Sequence, residues 1–198
     1  VTSTQRHPTA TELFAYGPHI AAQRFEIGDA SLRRERATTY DVGLRKTAGD
    51  WSGSLTAFRS DYSHYIFTAF TGEFEGDEEE LLPIVEYRQA DATFTGFELE
   101  LKLPVTETQL GALAPRVMAD YVRAKLLDGG DLPQIPPVRL GGELVLARDR
   151  FTSGLSVMYY DSQDKVSENE LSTDGYTMVD LDFAYRLPLQ DGPYTVAL

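Results

Sequence analysis

The chain has 198 residues, no cysteine, and 31 acidic against 18 basic side chains, for a formal charge of -13. That charge disfavours attraction to nucleic-acid phosphates, and the missing cysteines exclude disulfides and thiolate metal sites. No apolar run approaches the roughly 20 residues a transmembrane helix needs, so helical membrane spanning is excluded. A mean hydropathy of -0.29 leaves spanning strands open, because they alternate apolar and polar residues.

In chain order, β-branched and aromatic runs between turn signals predict about eight strands near 36–47, 51–68, 84–103, 109–126, 137–147, 151–164, 175–187 and 193–198. Several reach the ~9–11 residues of a tilted bilayer span. Alternation is clearest in two of them. Val179, Leu181, Phe183, Tyr185 and Leu187 share one face opposite Asp180, Asp182 and Arg186, and Phe97, Leu99, Leu101 and Leu103 alternate with Glu98, Glu100 and Lys102. A soluble β-sandwich with one apolar face would produce the same alternation.

The connections separate the two readings. Lys46-Thr-Ala-Gly-Asp50, Pro104-Val-Thr-Glu-Thr108, Arg148-Asp-Arg150 and Pro188-Leu-Gln-Asp-Gly-Pro193 are short turns, and the links 71–83, 127–137 and 166–175 are longer. Short turns at one end and long loops at the other are the pattern of an antiparallel transmembrane β-barrel. Trp51 at a short turn, with Tyr62, Tyr65, Phe67 and Phe70 running into a long loop, would suit interfacial aromatic girdles. Gly96 marks a place where a strand bends or another backbone approaches, and Pro133, Pro136 and Pro137 belong in a loop or at the start of the next strand. Glu35 with Arg33, Arg34 and Arg36 reads as a solvated ion network at a barrel rim.

The segment Pro8-Thr-Ala-Thr-Glu12-Leu-Phe-Ala-Tyr-Gly17-Pro-His19-Ile, continued by Phe25-Glu26-Ile-Gly28-Asp29 and Leu32-Arg-Arg-Glu35-Arg-Ala, resembles TonB-dependent receptors. In that family a "P-x-x-x-E-L" start, a "G-N-x-x-L-x-x-E" loop and a "Y-x-x-G-L" strand follow one another, the last matched here by Tyr40-Asp41-Val42-Gly43-Leu44. Tyr62 with Tyr65-Ile66, Gly96-Phe97-Glu98-Leu99-Glu100, Asp120-Tyr121-Val122 and 132–140 continue the order of motifs over nearly the whole chain. The resemblance implies that residues 1–198 are part of one barrel domain of about 22 strands in the bacterial outer membrane. It implies a partial barrel, with the family's plug domain and terminal aromatic strand outside the chain. A TonB-type energy-transducing protein acting through that plug, outer-membrane lipid and lipopolysaccharide are the implied partners, and import of a scarce nutrient the implied activity.

Chemistry points to binding rather than catalysis. There is no Gly-x-Ser-x-Gly, P-loop, His-Glu-x-x-His or Gly-x-Gly-x-x-Gly motif. An outer-membrane hydrolase would have only scattered residues such as Ser63 and His64. The pairs Glu98 with Glu100 and Asp180 with Asp182 read as a hydrated lumen face. The acidic loop 73–80 reads as a solvated, self-repelling segment, with an electrostatic funnel for cations as the alternative. His19 follows Gly17-Pro18, with Glu26 and Asp29 near in sequence, and that set suits zinc or a similar divalent cation. The stretch resembles zinc-uptake-type receptors, so zinc is expected as cargo and no resident cofactor. Siderophore, heme or cobalamin cargo is the alternative within the family, and a soluble β-sandwich binding module the alternative outside it. His7 and His64 are weaker candidates.

Overall fold

The computed structural model describes residues 1–76, 81–189 and 192–197. Twelve strands form one sheet: β1 (Thr2–Arg6), β2 (Tyr16–His19), β3 (Arg24–Ile27), β4 (Glu35–Lys46), β5 (Ser52–Glu75), β6 (Leu82–Lys102), β7 (Thr106–Thr108), β8 (Gly111–Leu126), β9 (Arg139–Arg148), β10 (Phe151–Tyr160), β11 (Tyr176–Leu189) and β12 (Gly192–Ala197). A short helix α1 (Ala10–Phe14) and a 3-10 turn (Ile20–Ala22) interrupt the first third. The main path runs β1-β4-β5-β6-β8-β9-β10-β11-β12, with every neighbour antiparallel.

The eight expected strands are present, each moved at its ends by a few residues or more. The expected strand 51–68 runs on to Glu75, and 151–164 stops at Tyr160 because the chain turns there into a loop tied by the Gln163–Thr173 bridge. The four short connections lie at one end, and the tightest is Asp149-Arg150, where Asp149 adopts φ +51 as a two-residue hairpin turn requires. Pro104–Thr108 is not only turn, since β7 pairs back onto β8 there. Pro133, Pro136 and Pro137 lie in the loop ahead of Arg139, where no ladder needs their missing N–H. Of the turn expected at 188–193, Gln190 and Asp191 lie outside the described residues, as do residues 77–80 of the acidic loop.

Register and pleat sort the side chains into two faces. Tyr40, Val42 and Leu44 on β4, Leu55 on β5, Phe97, Leu99 and Leu101 on β6, Val117 on β8, Leu140 and Leu144 on β9, Leu155 and Val157 on β10, and Val179, Leu181 and Phe183 on β11 all fall on one face through directly paired positions. Among the described residues no second sheet covers this band, and most of these residues are exposed. A contiguous apolar band of this size needs a cover, since each exposed Leu or Phe forgoes about 1.5–3 kcal/mol of burial. The band faces lipid.

The opposite face is polar and braced by ions. Arg116 on β8 meets Glu143 on β9 and Glu100 on β6, both at 3.4 Å, and Arg139 on β9 meets Asp120 on β8 at 2.8 Å. Gly96 serves the same face. A Cβ there would stand 2.7 Å from the Phe58 ring, so the missing side chain is where that ring lies.

Beyond the span, β5 and β6 continue as a hairpin past the ends of β4 and β8. A bulge marks the border: register shifts between Tyr62 and Tyr65, and His64 takes φ +59. The bulge also corrects one expectation. Tyr62, Tyr65 and Phe67 do not form a lipid girdle; with Phe94 they pack against the buried Ala92, Ala124 and Leu132 on the polar side of the sheet. Leu132 arrives from the loop after β8, which Arg123 and Asp131 close at 2.6 Å.

Candidate functional site

The segment 7–34 connects β1 to β4, but it does not take the short route. It crosses to the far side of β5 and lays β3 parallel to β6, pairing Phe25, Glu26 and Ile27 with Ile84, Val85 and Glu86. The position is open because β8 ends opposite Ala92, leaving the upper edge of β6 unpaired. Val85 and Ile84 are buried beneath it.

Local chemistry folds the segment. Thr9 and Glu12 form a capping box on α1: the Thr9 N–H donates to the Glu12 carboxylate at 2.7 Å, and the Glu12 N–H to Thr9 Oγ1 at 3.2 Å. Glu12 also accepts from Arg6 at 2.9 Å, and Arg6 reaches Glu35 at 3.1 Å. Burial pushes the Glu12 carboxyl up, but Arg6 and the Thr9 backbone outweigh it and hold it below the ordinary range. The far end of α1 is closed by the N–H groups of Gly28 and Asp29, which donate to Ala15 and Glu12 at 2.7 and 2.9 Å.

Glu35 is buried rather than part of a solvated rim network with Arg33, Arg34 and Arg36. It accepts the Ile66 N–H at 3.0 Å as well as the Arg6 guanidinium. The reason is backbone accounting. β4 ends at Glu35, the bulge lies just above, and the carboxylate satisfies an amide the ladder no longer reaches.

His19 closes β2, and Glu26 lies on β3 opposite Gly17. His19 Nδ1 is 2.9 Å from Glu26 Oε1, to which Arg24 Nη2 also donates at 2.8 Å, and the Tyr87 hydroxyl donates to Oε2 at 3.1 Å. Glu26 is 4% exposed. Burial alone raises its pKa, but the bonds from His19, Arg24 and Tyr87 together carry it below the ordinary value. Glu26 is thus an ionised carboxylate at neutral pH, and the His19 nitrogen that faces it, Nδ1, is the one that donates.

Asp29 is placed elsewhere. Its carboxylate accepts the Ser31 N–H at 2.8 Å in a local turn, and hydrogen bonding from the Ser31 side chain, together with that backbone bond, lowers its pKa. The structure brings His19 and Glu26 together without Asp29, and among the described residues no group of three His, Asp or Glu side chains is arranged to hold a metal. His64 sits in the bulge, with its N–H donating to Asp91 at 2.9 Å, and His7 follows β1 at the surface. Arg24, Tyr87 and Arg6 were not legible as partners in the sequence. The capping box, a Thr-x-x-Glu ahead of an apolar residue, was there to be read.

With this geometry in view the comparisons with known proteins decide the class. The model of the family "TonB dependent receptor-like, beta-barrel" matches residues 1–198. The chain belongs to the TonB-dependent receptor β-barrel family. Its fold is similar to that of the copper transporter OprC, with a TM-score of 0.76 and 19% identity over 93% of this chain and 28% of that one. A variant of the ferric enterobactin receptor PfeA from Pseudomonas aeruginosa gives a TM-score of 0.61 at 19% identity, over 93% of this chain and 30% of that one. The siderophore receptor PirA from Acinetobacter baumannii gives 0.58 at 16%, over 82% and 27%. The chain therefore spans less than a third of the length of the structures it matches. Membership makes the apolar band the lipid face of an outer-membrane barrel and the ionic face its lumen wall. The β-sandwich reading ends there.

Proposed function

We propose that this chain is wall and outer rim of a receptor that imports a metal ion or metal chelate, energised by a TonB-type partner acting through a plug within the complete barrel. The observation that carries the reading is the His19–Glu26 pair, on the crossing segment that docks beside the β5–β6 hairpin beyond the span. A carboxylate behind one ring nitrogen fixes the ring's orientation and makes the other nitrogen a better donor, the arrangement commonly found behind metal-bound histidines. On the lumen wall below, Arg116 and Arg139 pair with Glu100, Glu143 and Asp120, and Glu98, without an ion pair among the described residues, favours cationic cargo. Similar folds bear the names of a copper transporter and of siderophore receptors, which fits metal or chelate cargo.

Zinc is the finer reading. Glu26 then orients rather than ligates, Asp29 takes part only if its turn opens, and the other ligands come from elsewhere in the receptor. Imidazole suits zinc and copper alike. Calorimetric titration of the full receptor with zinc tests this, and His19→Ala should lower the affinity by about tenfold or more, the usual scale for losing a ligand or its support. Unchanged affinity removes His19 from the site and favours siderophore, heme or cobalamin cargo.

A further inference from the structure

The chain has three methionines and no cysteine, so Met118, Met158 and Met178 hold all of its sulfur. They lie on three different strands, β8, β10 and β11. Register nevertheless places them in one row: Met118 is opposite Gly141, Gly141 is opposite Met158, and Met158 is opposite Met178. Alternation fixes the side. Met118 lies between Arg116 and Asp120 on its face, and Met178 shares a face with Asp180, so the row is on the lumen wall and contributes nothing to the lipid band.

Gly141 is the gap in the row. A Cβ there would stand 2.6 Å from Cε and 2.7 Å from Sδ of Met158, so that side chain lies across the glycine, toward Met118. Met118 and Met158 line one cavity of about 300 Å³ together with Glu98, Glu100, Asp120 and Arg139. Arg139 neutralises Asp120 at 2.8 Å, and Lys102 and Arg116 flank Glu100 at 3.5 and 3.4 Å. Among the described residues Glu98 has no ion pair. Thioethers ordinarily fill irregular gaps in apolar cores. Here they stand on an ionic wall, next to a carboxylate.

Thioether sulfur is neutral and soft, and it selects copper(I)-type ions over the hard cations that carboxylates take. We infer that the row Met118, Met158 and Met178 is a binding station for a soft monovalent cation of the copper(I) type, with Glu98 supplying the compensating charge. The station is separate from His19 and rests on the metal-import reading only for its use in transport.

The test is titration of the full receptor in detergent with silver(I), the redox-inert counterpart of copper(I), in chloride-free buffer. Calorimetry should be paired with NMR of methyl-labelled methionine. Saturable binding with shifts of the Met118, Met158 and Met178 methyl signals is expected. The double variant Met118→Leu, Met158→Leu keeps volume and folding and should bind at least tenfold more weakly, and Met178→Leu should lose a smaller factor. Unshifted methyl signals, or unchanged affinity in the double variant, overturn the station. Binding lost in His19→Ala but kept in the double variant overturns it equally, by moving the ion to the outer segment. Because binding in detergent needs no transport, silver binding without uptake by cells would count against the import reading alone.

Discussion

Gln89 on β6 holds the backbone of Arg33 from both sides, accepting its N–H at 2.8 Å and donating to its carbonyl at 3.1 Å. The same amide also donates to the His64 carbonyl in the bulge at 3.2 Å. One side chain thus ties the end of the crossing segment to the border of the span. Each such bond contributes about 0.5–1.5 kcal/mol net. Gln89→Ala should therefore raise the rate of tryptic cleavage after Arg33 and Arg34 in the folded receptor severalfold, with the span uncut. Equal cleavage rates in both proteins would show that the segment is held by other contacts.

Acid should release the same segment before it affects the wall. The folded-state pKa values of Glu26 and Glu12 are depressed, so their contribution is fully present above the ordinary glutamate value of about 4.3 and is lost as pH falls through the lower folded values. Hydrogen exchange of the amides of residues 24–27 should accelerate as pH falls below about 4.3, while those of β9 and β10 stay protected. Exchange independent of pH, after correction for its intrinsic rate, would remove the two carboxylates as the anchors.

Breaking the Glu26 pair from the other side should cost more than an ordinary surface bridge. Arg24→Ala leaves a carboxylate that is only 4% exposed without its arginine partner, a change on the order of 3–5 kcal/mol for fully buried pairs. Loss of β3 protection at neutral pH is expected, and Arg24→Lys should restore part of it.

The two faces predict opposite tolerance to charge. Leu181, opposite Leu155 on the lipid band, should lose about 2–4 kcal/mol on replacement by Arg if it lies near the bilayer midplane. Ser156→Arg, opposite Asp180 on the lumen wall, should change stability little. Denaturant titration of the receptor folded in vesicles measures both. Similar losses at the two sites would mean that the faces have been assigned to the wrong sides.

Gly96 offers a packing test. Gly96→Val places a branched side chain against the Phe58 ring and the Tyr121 carbonyl, and overpacking of this kind costs typically about 1–3 kcal/mol. Phe58→Ala should recover only part of the loss, because the carbonyl remains.

The spanning strands were legible because period two persists over ten residues or more, and the turns between them carry Gly, Pro and Asp. Residues 1–34 were not. Their strands are four or five residues long and exist because distant side chains complete them: Arg6 with Glu35, Tyr87 with Glu26, Gln89 with Arg33. Tyr62 and Tyr65 show a different failure. Three residues apart, they belong on opposite faces of a regular strand, yet their rings meet at 5.0 Å because the bulge between them resets the face. At the candidate site, the nearness of His19 and Glu26 followed from a tight hairpin, while Asp29 was drawn away by the helix end it closes.

The bulge at Ser63 and His64 also bears on how this surface can vary over generations. A strand that gains or loses one residue turns every later side chain inside out, which in a membrane wall is lethal to assembly. Here the ladder is already interrupted at the rim, and at about 3.3 Å per residue the stretch from Ser63 to Glu75 reaches roughly 40 Å outward. Insertions and deletions toward the tip, beyond the contacts of Ile66 with Glu35 and of Phe67 with the cluster around Leu132, leave the lipid-facing register untouched. The end of this hairpin is thus free to change length while the lipid-facing register stays fixed.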